Sequence, residues 1–195
     1  VMSHLNRVSS SVEFAIQDPQ LGTGHAVMQT KGLLTDFKGD VLVLSGDVPL
    51  LTVSTIRDLI SYHRQKNAVA TILTADLDVP AGYGRILRDA EDHVIGIVEH
   101  RDATDKQKKV REINSGIYIF DNKRMFDALA HINPHNAQNE YYLTDVFGYY
   151  WKHAMRVAAK KSDDFNEIRG VNTVAQLEEA NDVLRKRKAV RASAV

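Results

Sequence analysis

Cysteine is absent from the 195 residues. That removes disulfide frameworks, thiolate metal sites and cysteine nucleophiles together. It also suits a reducing compartment, so a cytoplasmic location is expected. Long hydrophobic runs are missing too, and nothing approaches the roughly 18 consecutive apolar residues that span a bilayer. Net charge is the third absence. With 25 Lys+Arg against 25 Asp+Glu, no global field draws the chain to nucleic acid or to an anionic surface. The first fourteen residues, VMSHLNRVSSSVEF, show neither a basic leader nor an apolar core, so no signal peptide is expected there. Internal repeats, low-complexity linkers, the hexapeptide period of a β-helix, H-E-x-x-H, a Ser/His/Asp signature and an EF-hand loop are all absent.

What is present is the composition of a soluble globular protein, 44% hydrophobic and 26% charged, long enough to bury a substantial core in one domain. Val12–Ile16 reads as a short strand, and Gln17–Gly24 as a turn-rich loop. A helix from His25 to Thr30 follows, ending near Lys31-Gly32. Val41–Leu44 is an uninterrupted apolar run, the signature of a parallel strand covered on both faces. Thr52–Lys66 has helical apolar spacing with Ser54 as N-cap, and Ala68–Ala75 reads as an alternating strand. This order predicts an α/β, Rossmann-like, doubly wound mixed sheet. Beyond Pro80 the pattern turns β-rich: GYGRILRD, HVIGIVEH and REINSGIYIF read as short, partly antiparallel strands of a smaller part. DNKRMFDALAHI and YYLTDVFGYYWKHA read as amphipathic helices, MRVAAK as a last strand, and the C-terminal segment as a helix ending in the basic run RKRKAVR. That run reads as a solvated helix end, with a nucleic-acid or lipid contact as the alternative.

Polar residues gather at the strand ends, where such sheets bind ligands. Gly22, Thr23 and Gly24 before a helix suit either a plain entry turn or close backbone approach to a ligand. Asp47 at the tip of VLVLSGDVPLL is either a turn cap or an oxygen ligand for a hard cation. Gly82 and Gly84 around Tyr83 form a turn or bulge, or a loop lying against a ligand. Glu99 and Asn114 sit at strand ends. NEYYLTD suits a capped helix start with aromatic anchors, and GVN (residues 170–172) suits a turn.

Taken in order, QDPQLGTGHAV, VLSGDVPLL, GYGRI, GIVEHRDAT, EINSGIYIF, NAQNEYYLTD and GVNTVAQL resemble the N-terminal pyrophosphorylase domain of the bacterial bifunctional N-acetylglucosamine-1-phosphate uridyltransferase/glucosamine-1-phosphate acetyltransferase family. The resemblance implies the nucleotide-diphospho-sugar transferase fold over residues 1–182, with 183–195 a basic helix end or tail. It implies transfer of a uridylyl group from UTP to N-acetylglucosamine 1-phosphate, for cell-wall precursor synthesis, with Mg as cofactor. By the same resemblance Gln17, Gly22, Thr23, Ser45, Gly46 and Asp47 bind nucleotide. Gly84, Glu99, Asn114, Tyr142 and Thr144 hold the sugar, and Asp47 and Asn172 hold the metal. In-line displacement at phosphorus needs aligned polyanions and charge neutralisation rather than a protein nucleophile, and Mg takes only one or two protein oxygens.

The chain departs from that family at both ends. The glycine-rich phosphate loop, with its Arg and Lys, is not in the sequence, and neither is the C-terminal β-helix that carries acetyl transfer. The expectation is therefore an N-terminally truncated fragment with no catalytic residue of its own phosphate loop, and no oligomer is predicted for it. The alternatives are a non-catalytic nucleotide-sugar-binding module, or a pyrophosphorylase for another hexose 1-phosphate.

Overall fold

The computed structural model describes residues 2–9 and 11–193, with backbone alone at Asn6 and residues 190–193. In chain order the elements are α1 (Met2–Val8), α2 (Thr23–Met28), α3 (Lys31–Leu34), β1 (Asp40–Val43), α4 (Val53–Lys66), β2 (Ala70–Asp76), β3 (Arg85–Arg88) and β4 (Val94–Val98). Then come α5 (Asp105–Lys108), β5 (Glu112–Asp121), α6 (Asn122–Leu129), α7 (Asp145–Lys152), β6 (Val157–Lys161), a 3-10 turn (Phe165–Ile168) and α8 (Val174–Ser193). Among the described residues no helix is long and apolar enough to cross a membrane.

One six-stranded sheet runs β4-β3-β5-β2-β6, with β1 also paired to β5. It is mixed: β2 and β6 run parallel, and the other pairs are antiparallel. Helices cover both faces. On one, Tyr118, Phe120, Phe147 and Tyr150 form an aromatic cluster joined by Met125 and Leu129. On the other, Leu59, Leu73, Ile113, Ile117, Ile119 and Ile168 pack beneath α4 and the 3-10 turn. The alternation along β5 sends Tyr118 and Phe120 to the first face and Ile117 and Ile119 to the second, as strand geometry requires.

Four expectations are corrected. Val12–Ile16 forms no strand, because nothing among the described residues pairs with it. Val41–Leu44 is neither parallel nor fully buried: β1 pairs antiparallel with β5, its residues Val41–Val43 are half-buried, and Leu44 is 47% exposed. Its apolar run covers one paired edge instead of crossing the middle of the sheet. The cap of α4 is Thr52, whose side chain accepts from the Thr55 amide, and not Ser54. In β2 every residue from Ala70 to Ala75 is buried, because both faces carry helices and no solvent side remains to alternate against.

The middle of β5 positions the site. Its first half neighbours β3 and its second half neighbours β1. Between them the β2–β5 register shifts and Gly116 takes φ +78°. That value lies in the left-handed region, where a side chain is strained. β1 and β3 therefore diverge on either side of residues 114–116, and a cleft opens where the sheet splits.

Candidate functional site

A cavity of about 420 Å³ fills this cleft. Six of the expected residues line it: Thr23, Ser45, Gly84, Glu99, Asn114 and Thr144. Each is held by the fold. The Asn114 amide donates to the Gly84 carbonyl at 2.9 Å, which seats the GYGRI loop against β5. The Asn114 side chain is fixed twice, its Nδ2 donating to the Tyr118 hydroxyl at 2.8 Å and its Oδ1 accepting from the Gly116 amide at 3.3 Å. The Ser45 hydroxyl donates to the Gly116 carbonyl at 3.3 Å, tying the tip of β1 to the bulge. A Cβ on Gly116 would stand 2.8 Å from that hydroxyl oxygen, so glycine permits the approach.

Glu99 follows directly on β4 and turns into the cavity. Its Oε1 accepts from the Thr144 hydroxyl at 3.0 Å, and its Oε2 lies 3.1 Å from where a Cβ of Gly84 would be. Burial raises its pKa; the Thr144 hydrogen bond opposes this, and the charge of Asp102 adds to it. Asp145, the first residue of α7, is pushed up to about 6 by partial burial, then by Glu99 and Asp102, although its side chain keeps contact with solvent. Tyr142 is buried, its hydroxyl makes no hydrogen bond among the described residues, and it is not part of the cavity wall.

The nucleotide-side candidates form a second group. The loop before α2 is pinned by Tyr141 N–H donating to the Leu21 carbonyl at 2.8 Å and Gly24 N–H donating to the Tyr141 carbonyl at 2.7 Å. The Leu143 amide donates to the Thr23 hydroxyl at 3.0 Å. Gly22 has φ +105°, and a Cβ there would meet the Tyr141 carbonyl oxygen at 2.7 Å. The Gln17 Nε2 donates to the Gly22 carbonyl at 2.9 Å and lies 3.1 Å from His25 Nδ1, which leaves its oxygen open.

Asp47 and Asn172 lie outside the cavity wall but next to one another. A Cβ on Gly170 would stand 3.0 Å from Asp47 Oδ2 and 3.5 Å from Asn172 Nδ2, so both side chains close on one glycine Cα. The Val171 amide donates to the Asp47 carbonyl at 2.9 Å and joins the two loops. Tyr83 bridges this pair to the cavity, which it lines; burial raises its pKa, Arg169 and a bond from the Gly170 backbone oppose that, and Asp47 adds to it. Gly46 is exposed, with nothing within 4 Å of a notional Cβ.

Neither the Asp47 carboxylate nor the Asn172 side-chain carboxamide makes a hydrogen bond to any described residue. The arrangement therefore fits a divalent cation that takes two protein oxygens and completes its shell with phosphate and water. Among the described residues no group of three or more His, Asp or Glu forms an all-protein metal cage. Sequence reasoning missed Tyr118, Gly116 and Asp145. A glycine inside an otherwise regular strand was the available signal for the bulge. Nothing local marks Tyr118, whose partner lies four residues away across the bulge.

The sequence profile of the nucleotidyl transferase family matches residues 1–182. The chain is 50% identical over 175 residues to the bifunctional protein GlmU of Streptococcus uberis, and 51% identical over 175 residues to that of Streptococcus suis. In both cases 90% of this chain is covered, and the chain spans 38% of the relative's length. A solved structure of UDP-glucose pyrophosphorylase with UDP-glucose superimposes with a TM-score of 0.64 at 18% identity, covering 88% of this chain and 65% of that one. At that identity the likeness speaks for the fold alone.

Proposed function

The chain belongs to the nucleotidyl transferase family, and from that premise we propose that it carries the uridylyl-transfer site that makes UDP-N-acetylglucosamine and pyrophosphate from UTP and N-acetylglucosamine 1-phosphate. The observation that carries this reading is the meeting of Gly84, Glu99, Asn114 and Thr144 in one cavity with Thr23 and Ser45.

The polar groups suit those substrates. Gln17 keeps an open amide oxygen beside a loop held flat by Gly22, an acceptor for the N–H of a uracil ring. Glu99 retains acceptor capacity on Oε2, a partner for sugar hydroxyls. Asn114 is locked by two bonds and still offers one N–H and one lone pair, the complement of an acetamido group. Members of this family generally use a divalent metal, and we assign Mg, held by Asp47 and Asn172. When bound, the cation neutralises phosphate charge as pyrophosphate leaves. The chain's residues do the rest by position: a phosphate oxygen of the sugar phosphate attacks the α-phosphorus of UTP, the new P–O bond forms as the α–β P–O bond breaks, and no protein proton is needed.

The test is pyrophosphate release from UTP. It should require both N-acetylglucosamine 1-phosphate and Mg, and it should be faster than with glucose 1-phosphate. Because the phosphate loop is not in this sequence, the assay uses the chain within the full-length protein. Equal rates with the two sugar phosphates would remove the sugar assignment.

A further inference from the structure

The basic run near the C-terminus does not simply face solvent. The Arg187 side chain is 26% exposed and turns inward from α8. Its Nη1 donates to the Leu50 carbonyl at 2.6 Å, and its Nη2 donates to Asp164 Oδ2 at 2.9 Å and lies 3.9 Å from Glu167 Oε1. Leu50 lies three residues beyond Asp47, and Asp164 and Glu167 lie on the segment that leads to Asn172. One guanidinium thus joins the two loops that carry the proposed metal ligands.

Other contacts show that this is a strut. Glu167 Oε2 accepts from the Thr52 amide at 3.4 Å and from the Thr52 hydroxyl at 3.2 Å, and it also accepts from Thr55. Its side chain is 13% exposed. Nearer the start of α8, Glu179 pairs with Arg169, and Gln176 Oε1 accepts from the Asn172 backbone amide at 2.7 Å and the Thr173 backbone amide at 3.0 Å. The Asp164 pKa is lowered: desolvation raises it, but bonds from the Asn166 backbone and side chain and from Arg187 outweigh that. A planar fork reaches a carbonyl and a carboxylate at once, which an ammonium cannot reproduce.

We propose that Arg187 is a positioning residue for the cation site, holding the Asp47 loop and the Asn172 loop at ligating separation from outside the residues matched by the family profile. This rests on the assignment of Asp47 and Asn172 as the metal pair. Removing the guanidinium loosens the hold between the loops, leaving the Val171–Asp47 backbone bond and the Glu167 bonds to Thr52 and Thr55 as ties between the two segments.

The test is direct metal binding. Mn(II) is titrated into protein saturated with UDP-N-acetylglucosamine, with free ion read by EPR, and metal-free affinity for the sugar nucleotide is measured by calorimetry. Arg187→Gln should weaken Mn(II) binding about three- to tenfold while sugar-nucleotide affinity stays within about twofold, and Arg187→Lys should fall between it and the parent. Asp47→Asn serves as the reference and should weaken Mn(II) by at least about tenfold. If Asp47→Asn weakens Mn(II) and Arg187→Gln does not, the positioning role is overturned and the metal pair stands. If neither changes Mn(II) binding, the metal pair itself fails. Equal loss of Mn(II) and sugar-nucleotide affinity in Arg187→Gln makes the residue merely structural and overturns the proposal. Should Arg187→Gln not fold, Asp164→Asn, which keeps the cap oxygen and removes the charge, carries the same test with the same readings.

Discussion

Glu99 and Asp145 place carboxyl groups within electrostatic reach of one another, and both pKa values rise, that of Asp145 to about 6. The sign of the pH effect follows. A carboxyl whose folded pKa exceeds its unfolded one binds its proton more tightly when folded. Its contribution to stability is complete below the unfolded value and is lost as pH rises through the folded one. Thermal melts should therefore show Asp145→Asn gaining on the parent as pH rises from about 4 to about 7, and parallel curves would contradict the assignment. Tyr118 gives a second residue-scale prediction. Its hydroxyl accepts from Asn114 Nδ2, so Tyr118→Phe should weaken binding of UDP-N-acetylglucosamine by about fivefold, the worth of roughly one hydrogen bond. Asp47→Ala in the complete enzyme should lower kcat/KM by more than about tenfold, read from pyrophosphate release.

At the scale of elements, the loop before α2 is the sharpest case. Gly22 combines φ +105° with a clash at 2.7 Å for any Cβ. Gly22→Ala should cost about 1–3 kcal/mol of local strain and raise the KM for UTP, with a smaller change in that for the sugar phosphate. Such loops were legible because Gly, Thr and Asn carry backbone meaning in sequence. Helices α4 and α6 were legible through apolar spacing, and β3, β4 and β5 through bounded apolar runs. The misreadings have a common cause. VLVL in β1 and VEFAI near the N-terminus look alike as strings of β-formers, yet one pairs with β5 and the other pairs with nothing described. Pairing is decided by distant residues, and burial on one face or two by the helices that arrive there.

For the molecule as a whole, the site exists because two packed faces hold a split sheet in place. The aromatic cluster of Tyr118, Phe120, Phe147 and Tyr150 secures β5 next to the bulge, with Phe120 and Phe147 centroids 5.7 Å apart. Phe147→Ala should cost about 3–5 kcal/mol, seen as a lower urea midpoint. Neither the cleft nor the strut from α8 was visible in the sequence. The resemblance named the nucleotide, sugar and metal candidates, but six of them share one cavity only because β5 changes neighbours at Gly116. Arg187, within a run that reads as solvated basic tail, reaches inward only because α8 lies across both loops.

Under the proposed function, this cavity recognises the N-acetylglucosaminyl group of a uridine nucleotide sugar. Calorimetry of the chain with UDP-N-acetylglucosamine and with UDP-glucose tests it most directly, using the parent and Asn114→Ala. The parent should bind UDP-N-acetylglucosamine more tightly than UDP-glucose, and Asn114→Ala should erase most of that preference. Equal affinity of the parent for both ligands, or an unchanged preference in Asn114→Ala, would contradict it.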